Sequence, residues 1–238
     1  FESYKRWRTI LLIGLLNDDS PASQLVIRSL KPEAMKLVRI NQAFIFQMEN
    51  VWAKNQTVFF LAAKNDSILE ENLNVYGERL FQLVDQSVKS KAAQWLFNDK
   101  ERIAVEKKLE EKYRFSLRIP ELYRLSQERS DSNLVWLSTS GPDRWILITW
   151  SDVPEGDTIT INARDAVHYR DSLAGSFYQK DRINPTFTSA RLTEINGMPA
   201  IRLQGLWEND SLQVGGPFIN YQLFDRTTRR YYMIDGAM

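Results

Sequence analysis

The sequence predicts an α+β protein built of antiparallel sheets with helices packed on one face, arranged as two halves related to the ferredoxin-like pattern. Three observations predict it. Apolar runs of strand length recur along the chain, from ILLIGLL at residues 10–16 to RYYMI at residues 230–234. Only a few stretches carry a helical period of apolar residues. Short turn signals such as Gly141-Pro142 and Asn196-Gly197 join neighbouring strand runs, which favours antiparallel meanders over long parallel crossovers.

Taken in order, RTILLIG (residues 8–14) reads as a buried strand closed by glycine. NDDSP follows, with Ser20 placed to cap a short helix and Pro21 at its first position, where the missing N–H costs nothing; this helix runs to about Leu30. AFIFQM and QTVFFLAA form two antiparallel strands around the linker ENVWAKN. SILE at residues 67–70 reads as a capping box opening a helix. On that helix Leu69, Leu73, Tyr76, Leu80, Leu83 and Val84 fall within an arc of about 100°. Beyond Val84 the stripe drifts, so a break is expected before the charged helix in NDKERIAVEKKLEEKY. From Phe115 the pattern turns to strands in FSLRIPELYRLSQ, LVWLST and RWILITWS. A third helix spans Asn162 to about Tyr178, and four more strands lie near residues 186–195, 199–207, 217–224 and 230–234. The expected halves are therefore residues 1–113, β-α-β-β-α, and residues 114–238, β-β-β-α-β-β-β-β.

Composition narrows the function classes. Lys and Arg total 31 against 30 Asp and Glu, a net charge of +1, so no global field recruits nucleic acid or an anionic membrane. Cysteine is absent, which excludes disulfides, thiol nucleophiles and Cys-containing zinc sites. The single histidine, His168, leaves no two-histidine metal motif, and neither metal nor cofactor is expected. No apolar run approaches the ~18 residues of a spanning helix.

Within GLWENDSLQVGGPF, residues 205–218, Pro217 lacks an N–H and no lysine follows, which argues against a phosphate cradle. The residues fit a corner of a sheet, with Gly215 and Gly216 supplying backbone freedom and with Trp207 and Phe218 near the surface. Trp207, Glu208, Arg191 and Phe218 are the candidate binding residues, since Trp and Arg dominate binding hot spots. His168 stands between Asp165 and Asp171 on what reads as a solvated helix face. Arg170 falls inside the apolar arc of the same helix and needs a carboxylate partner, with Glu194, Glu208 and Asp225 as candidates. No GxSxG elbow occurs, and no residue is assigned a catalytic role.

ILLIG with DDSP, VWAKNQTVFFLAA, YRFSLRIPELYRL, NLVWL, YRDSL and INGMPAIRLQGLWENDSLQVGGPF together resemble an uncharacterised family of Bacteroidota lipoproteins catalogued as domain of unknown function 4837. The resemblance implies a lipoprotein of the cell envelope facing the periplasm or the exterior. Its membrane contact would be made through a lipid-bearing cysteine upstream of Phe1, and the family pattern would continue beyond YYMIDGAM. It implies no activity. Two readings follow: a non-catalytic binding or structural module with an envelope protein or glycan as partner, or a carboxylate-dependent hydrolase of envelope glycan or peptide using acids near Glu208 and Arg191.

Overall fold

A computed structural model describes residues 3–98, 100–157, 159, 161–178 and 181–238. The chain divides into two compact units, Phe1–Lys100 and Glu101–Met238. The division falls before the helix Ile103–Tyr113, not after it as expected, because Leu109 and Tyr113 of that helix are core residues of the second unit.

The first unit contains β1 (Thr9–Leu15), α1 (Pro21–Ser29), α2 (Pro32–Arg39), β2 (Ile45–Glu49), β3 (Thr57–Ala63) and α3 (Asp66–Leu96). β3 is the middle strand, parallel to β1 and antiparallel to β2. Every residue of TVFFLAA is buried, the signature of a strand covered on both faces. Val58, Phe60 and Ala62 pack with Val26 and Leu30 of the α1 segment, while Leu61 and Ala63 pack with Ile68, Leu69 and Leu80 of α3. Gly14 lets α1 press on β1, since a Cβ there would lie 2.6 Å from that of Val26. Asp18 organises the entry to α1, accepting from Ser20 Oγ at 2.5 Å and Ser23 Oγ at 2.6 Å, and these bonds hold its carboxyl below the usual range.

Two details differ from the sequence reading. α3 is capped by Asn65, whose Oδ1 accepts from Ile68 N at 3.0 Å, so Ser67 lies inside the helix. α2 is an additional helix, begun by Pro32 at its first turn immediately after Leu30. The expected break does occur: α3 ends at Leu96, and the next helix starts at Ile103.

The second unit comprises α4 (Ile103–Tyr113), β4 (Arg124–Arg129), β5 (Leu134–Thr139), β6 (Arg144–Asp152), α5 (Ala163–Phe177), β7 (Arg182–Ile183), β8 (Ser189–Ile195), β9 (Met198–Asn209), β10 (Val214–Asp225) and β11 (Arg230–Ala237). Its sheet runs β4-β5-β6-β11-β10-β9, with β7 and β8 pairing successive parts of the outer side of β9, and every named ladder in it is antiparallel.

The α+β class and the antiparallel sheets hold, but the layering differs from expectation. Strand residues alternate between two covered faces. Val135, Ile148, Leu223 and Tyr232 pack with Leu109 and Tyr113 of α4, while Leu134, Leu147 and Met233 pack with Ala174 of α5 and Tyr178. Helices therefore cover both faces of this sheet. Among the described residues the second unit has no parallel pair like β1 and β3 of the first, so the two units are not copies of one ferredoxin-like half.

One surface cluster ties α4 to the edge strand β4. Lys108, Lys112 (2.6 Å) and the Tyr113 hydroxyl (2.9 Å) all donate to Glu128, and these partners, Lys108 foremost, pull its pKa down to about 2. A carboxylate with a depressed folded-state pKa stabilises the fold above its ordinary value of 4.5 and loses that contribution as pH falls toward about 2. Glu128→Gln is accordingly expected to lower stability near neutral pH and to flatten the acid limb of the unfolding curve between those two values. Urea unfolding at a series of pH values checks this, and equal acid slopes for variant and parent would refute it.

Candidate functional site: the α5 face and the sheet edge

Beneath α5 lies a chain of polar side chains with no access to water. Arg170 is 1% exposed and Asp235, Asn220 and Gln222 are 0% exposed. Arg170 Nε and Nη2 donate to the two carboxylate oxygens of Asp235 at 3.0 and 3.2 Å. The bidentate pair corrects the sequence expectation, which named Glu194, Glu208 and Asp225 as partners. Asn220 Nδ2 adds a third donor to Asp235 at 2.8 Å, and Gln222 Nε2 donates to Asn220 Oδ1 at 2.8 Å and to the Ala166 carbonyl at 2.7 Å. The Tyr231 hydroxyl closes the series by donating to Gln222 Oε1. Arg170 also stacks on Phe218, its Cζ 3.9 Å from the ring centroid. Burying two charges is costly, and the cluster offsets that cost by matching most of its donors and acceptors; among the described residues Arg170 Nη1 and the neighbouring Tyr178 hydroxyl have no hydrogen-bond partner.

The four expected binding residues do not share a surface. Trp207 is 8% exposed and Phe218 3%, both in the core beneath α5 with Trp145, and this corrects their expected surface position. The Trp207 indole packs 5.7 Å from that of Trp145 and donates Nε1–H to the Met238 carbonyl at 3.2 Å. Gly215 and Gly216 lie within β10, not in the bend, whose positive φ belongs to Gln213 at 55°. They are small because a Cβ would strike backbone: the Trp207 carbonyl at 2.7 Å from Gly215, and the Met238 carbonyl, closer still, from Gly216.

Glu208 is half-buried on β9, accepting from Arg182 Nε at 3.1 Å and Asn184 Nδ2 at 2.9 Å, a clamp that holds β7 to the sheet. Both of its carboxylate oxygens are taken up in this clamp, where β7 pairs with β9. His168 is exposed, Asp165 serves the Asn162 cap, and Asp171 accepts from Ile183 N at 2.8 Å.

Arg191 remains at the surface. It lies on β8, directly opposite Arg202 of β9, so two guanidinium-bearing side chains share one face of the ladder. β8 is an outer strand: all seven of its residues pair with β9, and no strand pairs its other side among the described residues. Leu192, on the opposite face from Arg191, is 82% exposed. At the opposite edge of the sheet, β4 carries a register shift between Leu125 and Gln127 and the charges of Arg124, Glu128 and Arg129. Bulges and charges are the usual guards of a sheet edge. β8 carries charges of its own, Arg191 and Glu194, but has a regular ladder and no proline.

In the first unit sequence reasoning missed a dense polar cluster. Lys91 donates to the Arg8 carbonyl at 2.9 Å, to Ser87 Oγ at 3.1 Å and to Thr57 Oγ1, while Thr57 Oγ1 donates to Glu49 at 2.9 Å. Burial lowers the Lys91 pKa, with the Glu49 charge opposing. A serine beside a lysine is the arrangement that Ser–Lys nucleophile pairs use. Here, however, all three ammonium protons are engaged and Ser87 donates to Thr57 at 3.0 Å, so the serine has no free base. The cluster explains how α3 stays on the sheet after its apolar stripe ends at Val84: hydrogen bonds replace greasy contacts. The i, i+4 spacing of Ser87 and Lys91 was the available signal.

The second unit is thus a two-faced antiparallel sheet of α+β architecture, with a register shift along β4 and a regular ladder along β8. A family model described as "Domain of unknown function (DUF4837)" matches residues 102–238, more than half of the chain and nearly the whole of this unit. The chain belongs to that family. No curated protein and no solved structure matches it.

Proposed function

We propose that the protein is a non-catalytic binding module of the cell envelope whose second unit captures an extended segment of a partner protein along β8. The observation that carries the reading is the open ladder of β8, with Leu192 projecting from it. An added strand satisfies the row of unpaired backbone groups, and its side chains meet those of β8 in register. A residue opposite Arg191 shares a face with both Arg191 and Arg202. Like charges placed opposite one another are unfavourable, so an acidic residue in the partner relieves both guanidiniums. Alternate partner residues on the other face cover Leu192. The partner segment is therefore extended, apolar on one face and acidic at its centre. Envelope location and lipid anchoring rest on the resemblance carried by the sequence phrases of both halves.

Two nine-residue peptides of alternating Val and Thr, one with a central Glu and one with a central Lys, test this by calorimetry. The Glu peptide is expected to bind the parent chain about threefold to tenfold more tightly than the Lys peptide, and Arg191→Glu should reverse the order. Equal affinities in all four combinations, or no binding, would overturn the assignment.

A further inference from the structure

A second, separate feature of the same unit lies beside α5. Asp165, His168 and Ser172 line a hollow of about 370 Å³, with Ile159 and Ile161 also in its lining and the rings of Tyr169 and Tyr231 as an aromatic corner. The tyrosine rings meet edge to face, centroids 5.3 Å apart at 76°. Residues 165, 168 and 172 fall on one stripe of the helix, i, i+3 and i+7, and extend about 10 Å along its axis at 1.5 Å per residue. The neighbouring stripe of Ala166, Arg170 and Ala174 is buried, which fixes the orientation of the polar one.

The corner is held rigidly. Tyr231 donates to Gln222, and from there the buried hydrogen bonds run through Asn220 and Asp235 to Arg170, so the ring is anchored to the most deeply buried charges of the unit. A preformed wall lowers the ordering cost of binding. The rim, by contrast, is available: among the described residues the Asp165 carboxylate is bonded only through Oδ2, to Asn162 Nδ2 at 2.6 Å, and the exposed His168 side chain makes no hydrogen bond.

From this anatomy we infer that the hollow binds one pyranose unit of a neutral or amine-bearing sugar. Ring C–H groups lie against the tyrosine corner, and hydroxyls bond to Asp165, His168 and Ser172. Among the described residues no Lys or Arg lines the hollow and a carboxylate does, which disfavours phosphorylated or carboxylated ligands. The polar stripe disfavours a wholly apolar one. The site is independent of β8, so either assignment stands if the other fails.

Saturation-transfer NMR with glucose, N-acetylglucosamine and glucosamine tests it on the full chain. At least one is expected to bind with Kd on the order of millimolar. Ser172 is exposed and bonds only within its own helix, through the Tyr169 carbonyl, so Ser172→Lys should fold normally and fill the hollow. Its expected effect is a loss of at least about tenfold in sugar affinity. Tyr169→Leu should weaken binding similarly, and Arg191→Glu should leave it unchanged. Absence of signal for all three sugars, or undiminished binding by folded Ser172→Lys, would overturn the inference.

Discussion

Arg170→Met is expected to destabilise the second unit by about 3–5 kcal/mol, because it leaves the Asp235 carboxylate buried at 0% exposure without its bidentate partner. The sign follows from desolvation: the ion pair as a whole contributes little, but half of it is costly. Replacing both partners, Arg170→Met with Asp235→Leu, removes both charges and is expected to recover most of the loss. It does not recover all of it, since Asn220 Nδ2 would lose its acceptor, at a cost of about 1–3 kcal/mol. Urea unfolding read through amide exchange of β10 and β11 measures all three. A single variant within about 1 kcal/mol of the parent would mean that the pair is not desolvated.

Trp207→Ala should cost a similar amount, about 3–5 kcal/mol, as expected for an aromatic ring removed from a packed interior. The comparison with binding is the informative part. Per folded molecule, affinity for the Glu-centred peptide should stay unchanged, because Trp207 faces α5 and not the open edge. Normal stability together with lost peptide binding would return the indole to the surface role expected from the sequence alone.

That expectation failed for a reason visible in the chain. Trp207 stands beside Glu208, Asn209 and Asp210, and an acidic turn so close by suggests an outward-facing ring. Period-two alternation places it inward instead: Ile201, Leu203 and Trp207 all lie in one core cluster, while Arg202, Gln204 and Glu208 are on the other face. The partner of Arg170 was missed for a related reason. Ending the last strand at Ile234 hid Asp235, whereas β11 runs to Ala237 and sets Met233, Asp235 and Ala237 in one buried row.

What local chemistry dictates was legible: the Ser20–Pro21 helix start, the Asn162 cap, the hairpins, and the need of Arg170 for a carboxylate. What depends on distant pairing was not. Nothing near residues 103–113 says that α4 packs in the second unit, and nothing within SARLTEI says that no strand among the described residues pairs its outer side. The Ser67 capping box lost to Asn65 by two residues, a competition between two good caps that sequence does not decide.

The most direct test of β8 as a docking edge is hydrogen exchange of its amides with and without the Glu-centred peptide. Strand addition predicts slowed exchange at alternate amides of residues 189–195 and none at β4. Unchanged exchange along 189–195, or equal slowing at both edges, would contradict it.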